Sequence, residues 1–156
     1  LIKVIVADDH HLVRTSIARM LSEEDGIQVV GEAATGEEAL SLARTLRPDI
    51  VLMDIRMPGI GGLEATRKIA RGMSDIKVVI LTAYLEETFA QRLLEAGASG
   101  FISKGTEMNE VVRAIRAIQL GQRYISPEIA QRLVLAKMDT QDNPFDQLSS
   151  REMQVA

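Results

Sequence analysis

The stretch Ile50-Val51-Leu52-Met53-Asp54 puts four apolar residues in a row and then a carboxylate. Because a strand shows its residues alternately to its two faces, a run with no polar member reads as a strand covered on both sides. Such a strand belongs in the middle of a parallel sheet, with Asp54 at its carboxyl end. Similar β-rich runs lie on either side: Ile2 to Ala7 and Ile27 to Ala33 before it, Val78 to Leu81 and Gly100 to Ile102 after it. In the second run Gln28 and Glu32 alternate with Val29 and Gly31, as expected nearer a sheet edge. Between the runs the apolar spacing becomes helical, at Val13, Ile17, Met20 and Leu21, then Ala39, Ala43 and Leu46, then Leu63, Thr66, Ile69 and Ala70. It recurs at Phe89, Leu93 and Ala96 and at Val111, Ile115 and Ile118. Five strands alternating with five helices predict an α/β fold, a doubly wound parallel sheet with helices on both faces, because each right-handed crossover lays its helix on the sheet.

The 156 residues, 46% of them hydrophobic, suffice for one domain with its own core. Eighteen Lys and Arg against 22 Asp and Glu give a net charge of −4, a balance that does not favour DNA or an anionic membrane. The absence of Cys excludes disulfides, a thiolate nucleophile and thiolate zinc sites. No apolar run approaches the ~20 residues of a membrane span, and Leu1 to Val6 lacks the order of a secretory signal, so a cytoplasmic location without membrane contact is expected.

After Ile118 the pattern changes. Gly121 to Tyr124 is expected to end the fifth helix, and Pro127 suits the first position of another, with Ile129, Leu133 and Val134 as a narrow apolar stripe. Asp139 to Pro144 is polar and turn-prone, as a hinge would be. Ser149 and Glu152 have capping-box spacing, so Leu148 to Ala156 reads as the start of a helix too short to stand alone. The expected organisation is a main domain over residues 1–119, a linker with one helix over 120–147, and from 148 to 156 the opening of a second domain that continues past Ala156 in the parent protein.

In a doubly wound sheet, ligands bind beyond the carboxyl ends of the strands. There the chain supplies Asp8 and Asp9 after strand one, Asp54 after strand three, Thr82 at strand four and Lys104 after strand five. Singly, an Asp or Thr after a strand is commonly a turn former or helix cap, and a Lys a solvated surface residue. Together at one edge they define a site. Three carboxylates in one crevice repel one another unless a cation neutralises them, and an oxygen-only donor set favours Mg²⁺. Asp8 and Asp9 point to opposite sides of their strand, so one is expected to ligate directly and the other through water. Asp54 is the candidate nucleophile, able to take a phosphoryl group as an acyl phosphate when cations screen the incoming charge. Lys104 would pair with the phosphoryl oxygens, Thr82 would donate a hydroxyl hydrogen bond to them, and the backbone carbonyl of Arg56 would complete the metal shell. His10 and His11, adjacent at a helix start, point apart and are not expected to ligate.

Four segments carry a resemblance to a known family: Asp8-Asp9, Val51 to Gly62, Leu81-Thr82-Ala83, and Gly97-Ala98-Ser99-Gly100-Phe101-Ile102-Ser103-Lys104. In them, and over Ile2 to about Gln119, the chain resembles the receiver domain of two-component response regulators. That likeness implies a flavodoxin-like sheet of order 2-1-3-4-5, a sensor histidine kinase as phosphodonor to Asp54, and a possible homodimer. Asp8-Asp9-His10-His11-Leu12-Val13-Arg14, Gly121 to Ser126 and Leu148 to Glu152 further resemble the NarL/FixJ subfamily, especially its GacA/UvrY group. The subfamily implies a LuxR-type helix-turn-helix output domain, through which alone DNA would be bound. Phe101 stands where receivers carry an aromatic switch residue, paired in that role with Thr82; its plainer reading is a half-buried strand aromatic. Gly105 departs from the family pattern, which has Pro after the lysine, and a trans Lys104–Gly105 bond with a looser loop is expected.

Two other functions compete with phosphorylation-gated transcription control. A metal-dependent phosphohydrolase with an Asp nucleophile would carry its two acids two residues apart after strand one, whereas Asp8 and Asp9 are adjacent. A stand-alone receiver acting by docking alone would have no use for the helix start at Ser149. The expectation is therefore a phosphoacceptor signalling domain and not an enzyme.

Overall fold

A computed structural model of the chain describes residues 1–82, 87–127, 130, 131 and 134, with the side chains of 82 and 87–90 outside that description. Strands β1 (Ile2–Ala7), β2 (Ile27–Ala33), β3 (Ile50–Met53), β4 (Lys77–Thr82) and β5 (Gly100–Ser103) alternate with helices α1 (His11–Ser22), α2 (Gly36–Leu46), α3 (Gly61–Gly72), α4 (Glu87–Ala96) and α5 (Met108–Gln119). A short strand, β6 (Tyr124–Ile125), follows. All pair in parallel in the order β2-β1-β3-β4-β5-β6.

The flavodoxin-like doubly wound order is the one expected, but the sheet has six strands where five were predicted. Two residues are too few to show an alternation, so β6 left no periodic signal. Its place is fixed by backbone bonds: Tyr124 N–H donates to Ser99 O at 3.4 Å and Ser126 N–H to Phe101 O at 2.9 Å. The segment read as linker from residue 120 thus begins by extending the sheet. Beyond it Pro127, Ala130, Gln131 and Val134 are helical, and Ala130 N–H donates to Ser126 O at 2.9 Å. This agrees with Pro127 as a first helical residue, where a missing N–H costs nothing. Ile129 and Leu133, the hinge at 139–144 and the helix start at Ser149 lie outside the described residues.

Strand alternation builds two apolar layers. Val4, Val6, Ile50 and Leu52 face α1 and α5, packing with Leu21 and Ile115. Ile5, Val51 and Met53 face the other way, with Ile69 of α3 and Leu93 of α4. Every residue of β3 is buried, as its unbroken apolar run requires, and β2 with its exposed Gln28 and Glu32 forms an edge. At the start of α2, Thr35 Oγ1 accepts from Glu38 N–H at 3.0 Å while Glu38 Oε1 accepts from Ala34 N–H at 2.7 Å, a reciprocal cap.

Candidate functional site

The acids are held by the sheet itself. Pairing of β1 with β3 brings Ala7 opposite Met53, and the ladder runs one residue further: Asp54 N–H donates to Ala7 O at 2.9 Å, and Asp8 N–H to Ala33 O at 2.9 Å. Asp8 and Asp54 therefore emerge side by side from adjacent strands. Both are buried, at 2% and 6% exposure, while Asp9 is exposed. From the other side, pairing of Thr82 with Ser103 brings the end of β5 alongside β4, and Lys104 reaches back. Its Nζ stands 2.7 Å from Asp8 Oδ2 and 3.2 Å from Asp54 Oδ2.

Burial pushes the Asp54 carboxyl above its ordinary pKa; the charge of Asp8 pushes the same way, while the Lys104 ammonium and a hydrogen bond from the Arg56 backbone N–H oppose it. For Lys104, burial alone disfavours the ammonium, but its hydrogen bond to Asp8 and the charges of Asp54 and Asp8 together prevail and raise its pKa. The rise of Asp54 is thus mainly an effect of burial, and that of Lys104 an effect of the two carboxylates beside it. With Asp9 included, three carboxylates and one ammonium leave a formal charge of −2. Side-chain ligand atoms of Asp8, Asp9, His10 and Asp54 all lie within 4.8 Å of one another. Charge and carboxylate oxygens alike fit a hard dication.

The turn after β3 is shaped by close approach. Met57 N–H and Gly62 N–H both donate to Ile55 O, at 3.1 and 3.0 Å, which folds the loop back so that α3 begins against the acceptor's own backbone. A Cβ on Gly62 would come within 2.5 Å of Asp54 O and 2.7 Å of Ile55 Cα, so no larger residue fits there without displacement. Across the same loop Glu37 Oε1 accepts from Ile60 N–H at 3.2 Å.

Asp8, Asp9, Asp54 and Lys104 thus come together at one edge. Thr82 closes β4 beside them, its hydroxyl being outside the described groups, and the Arg56 backbone is engaged with Asp54. Phe101 is fully buried rather than half-buried, in the apolar layer that holds Ile69 and Leu93, with Ile125 of β6 packed against the same layer. The backbone has no cis peptide among the described residues, so Lys104–Gly105 is trans. Three contributors escaped sequence reasoning. Arg14 donates from Nη1 to Asp8 O at 2.8 Å, from Nε to Glu32 Oε1 at 3.1 Å and from Nη2 toward His11 Nδ1 at 3.0 Å, tying α1 to β1 and β2. Its place one turn after His10 was the only available signal. Glu37 gave none, because the loop it holds is distant in sequence. His10 and His11 do point apart, yet His10 points into the site, with Nδ1 3.2 Å from Asp9 Oδ1 and 3.5 Å from Asp8 Oδ1.

A parallel sheet of this order with two buried acids, a third acid and a bridging lysine at its carboxyl edge is the architecture of a phosphorylation-type signalling receiver. Residues 4–116 match the response regulator receiver domain, and the chain belongs to that family. It is 58% identical over 158 residues to the response regulator GacA of Pseudomonas aeruginosa, covering all of this chain and 74% of that protein. To the response regulator UvrY of Escherichia coli K12 it is 49% identical over 157 residues, covering 99% of this chain and 72% of UvrY. Among solved structures, a LuxR-family two-component response regulator from Aurantimonas sp. SI85-9A1 superposes with a TM-score of 0.82 at 40% identity, covering 87% of this chain and 97% of that one. The chain is accordingly a response regulator receiver of the GacA/UvrY kind, a signalling domain.

Proposed function

We propose that Asp54 accepts a phosphoryl group from a sensor histidine kinase in the presence of Mg²⁺, and that the modified domain controls a LuxR-type helix-turn-helix carried beyond Ala156. The observation that carries this is the Lys104 ammonium held between two buried carboxylates from different strands. A carboxylate oxygen of Asp54 forms the new bond to phosphorus as the donor's phosphorus–nitrogen bond breaks, the imidazole nitrogen keeping the electron pair. For this Asp54 must be ionised although burial opposes it, and the neighbouring ammonium supplies that bias. Once the group has arrived, Lys104 pairs with a phosphoryl oxygen and Thr82 donates its hydroxyl to another, drawing in the loops after β5 and β4. Asp8, Asp9, Asp54 and the carbonyl of Arg56 would hold Mg²⁺, which supplies charge neutralisation at the phosphoryl oxygens.

Phe101, whose strand neighbour across β4 is Ile80, would relay the change with Thr82 as the switch pair. Residues 1–119 together with β6 act as the receiver, the rest of 120–147 as a linker, and 148–156 as the opening of the output domain; DNA is bound through that domain alone. A homodimer is the natural form for a regulator reading paired half-sites. No helix among the described residues is long and apolar enough to cross a membrane, in keeping with a cytoplasmic protein. The domain acts as a phosphoacceptor and not as an enzyme turning over substrate. The test is intact-mass spectrometry after incubation with Mg²⁺ and an acyl phosphate. One added phosphoryl is expected on the wild type and none on Asp54→Asn; equal base-labile uptake by the variant would overturn the assignment.

A further inference from the structure

We infer that His10 is a further metal-binding residue of this acidic site, whose imidazole biases it toward nitrogen-accepting dications such as Co²⁺ over Mg²⁺. The inference rests on the metal reading proposed above and adds a donor of a different chemical class. The ring nitrogen nearest the backbone, Nδ1, is turned inward, 3.2 Å from Asp9 Oδ1 and 3.5 Å from Asp8 Oδ1. It belongs to the group of four ligand atoms that lie within 4.8 Å of one another.

The position is set by the backbone. His10 N–H donates to Asp8 Oδ1 at 2.9 Å and its carbonyl accepts from Arg14 N–H at 2.9 Å, so the residue is fixed from both sides at the entry to α1. The side chain of His11 goes elsewhere, to Arg14. Lys104 takes Oδ2 of both Asp8 and Asp54, while His10 stands on the Oδ1 side of Asp8, where Asp9 also lies. The ammonium and a metal ion would then share the carboxylates through different oxygens without competing for one lone pair. A neutral imidazole adds no charge to a site whose formal charge already matches a dication. It does change selectivity, because Mg²⁺ prefers an all-oxygen shell with retained waters, whereas imidazole suits later first-row ions. A plain hydrogen bond from a protonated Nδ1 to Asp9 is the competing account.

The experiment uses the 156-residue protein with the metals themselves as probes. Calorimetric titration of the wild type and of His10→Ala with Co²⁺ and Mg²⁺ should show Co²⁺ affinity falling about tenfold in the variant, with Mg²⁺ affinity changed by less than about twofold. Because His10 is 73% exposed, its replacement removes little packing. Pulsed electron paramagnetic resonance of the Mn²⁺-loaded protein should show a nitrogen hyperfine coupling that is lost in His10→Ala and kept in His11→Ala. Saturable Mn²⁺ binding without nitrogen coupling, or coupling that survives in His10→Ala, would overturn the role of His10 and leave the oxygen-ligated site standing. Absence of any saturable metal binding by the wild type would overturn both.

Discussion

Lys104 and Asp8 form an ion pair of 2.7 Å that joins the end of β5 to the end of β1 across the two strands between them. Asp54, at the end of one of those intervening strands, receives the same ammonium at 3.2 Å. The pair spans the crevice in which chemistry at Asp54 would occur, so any rearrangement of Lys104 reaches both sides of the sheet. Replacing Lys104 with Met leaves two buried carboxylates without their cation. Burial, and then Asp8, already raise the pKa of Asp54, and losing the ammonium raises it further. A carboxyl whose folded pKa lies above its unfolded value contributes stability that is present at low pH and lost as pH rises through the folded pKa. Lys104→Met should therefore be destabilised at pH 7, by about 1–3 kcal/mol given the partial exposure of the pair, and should recover as the solution is acidified. Urea midpoints at pH 5 and pH 7 in the absence of divalent ions check this; an equal deficit at both would contradict it.

The same reasoning gives Asp54→Asn opposite effects on stability and on function. Because the folded state raises the pKa of Asp54, it prefers the neutral form at that position, and an amide of the same shape supplies it permanently. Thermal unfolding of Asp54→Asn at pH 7 should occur above that of the wild type, although phosphoryl uptake is abolished. A lower melting temperature would mean that the lost bond to Lys104 outweighs the relieved burial.

Gly62 controls the geometry of the acceptor without touching a ligand. With Asp54 O at 2.5 Å and Ile55 Cα at 2.7 Å from the place a Cβ would take, Gly62→Ala must push α3 away from the loop or bend the loop that carries Asp54. The cost should be about 1–3 kcal/mol, as for overpacking elsewhere in protein interiors. Phosphoryl uptake from an acyl phosphate should slow along with it. Gly72→Ala, on the same helix with open space around the new methyl group, should be neutral or slightly stabilising in the same denaturation series.

Much of this was legible in the chain. The unbroken apolar run at Ile50 to Met53 is the signature of a strand with two covered faces, and the acids and lysine become meaningful only once strand ends are known to share an edge. Long-range partners left weaker marks. Nothing local announces that Glu37 will meet the backbone of Ile60, or that the side chain of Arg14 will reach the Asp8 carbonyl, because those contacts depend on how α1 and α2 lie on the sheet. For His10 the signal was incomplete for a related reason: adjacent side chains at a helix start diverge, but that rule says nothing about which of the two faces the site. The sixth strand was too short for periodicity and is recognisable only through its pairing with β5.

Among the described residues, that strand is anchored by one side-chain bond. Tyr124 Oη donates to Glu110 Oε2 at 2.6 Å, linking β6 to α5 on the layer that also holds α1. Burial, the hydrogen bond to Glu110 and the negative charge of Glu110 push the Tyr124 hydroxyl up to about 12, with Arg113 acting weakly against them. A tyrosine whose folded pKa exceeds its unfolded value near 10 keeps its proton more firmly in the folded state, so its contribution is complete below pH 10 and is lost as pH rises toward 12. The wild type should accordingly lose stability over that interval more steeply than Tyr124→Phe, which has no proton to release. At pH 7 the order reverses: the phenylalanine variant lacks the bond to a charged acceptor and should be less stable by about 1 kcal/mol, discounted from the usual value because Tyr124 is partly exposed. Denaturant midpoints of both proteins from pH 7 to 11 provide the comparison. Parallel curves would show that the bond between Tyr124 and Glu110 does not stabilise β6, and that edge would then be held by backbone pairing and by the apolar packing of Tyr124 and Ile125.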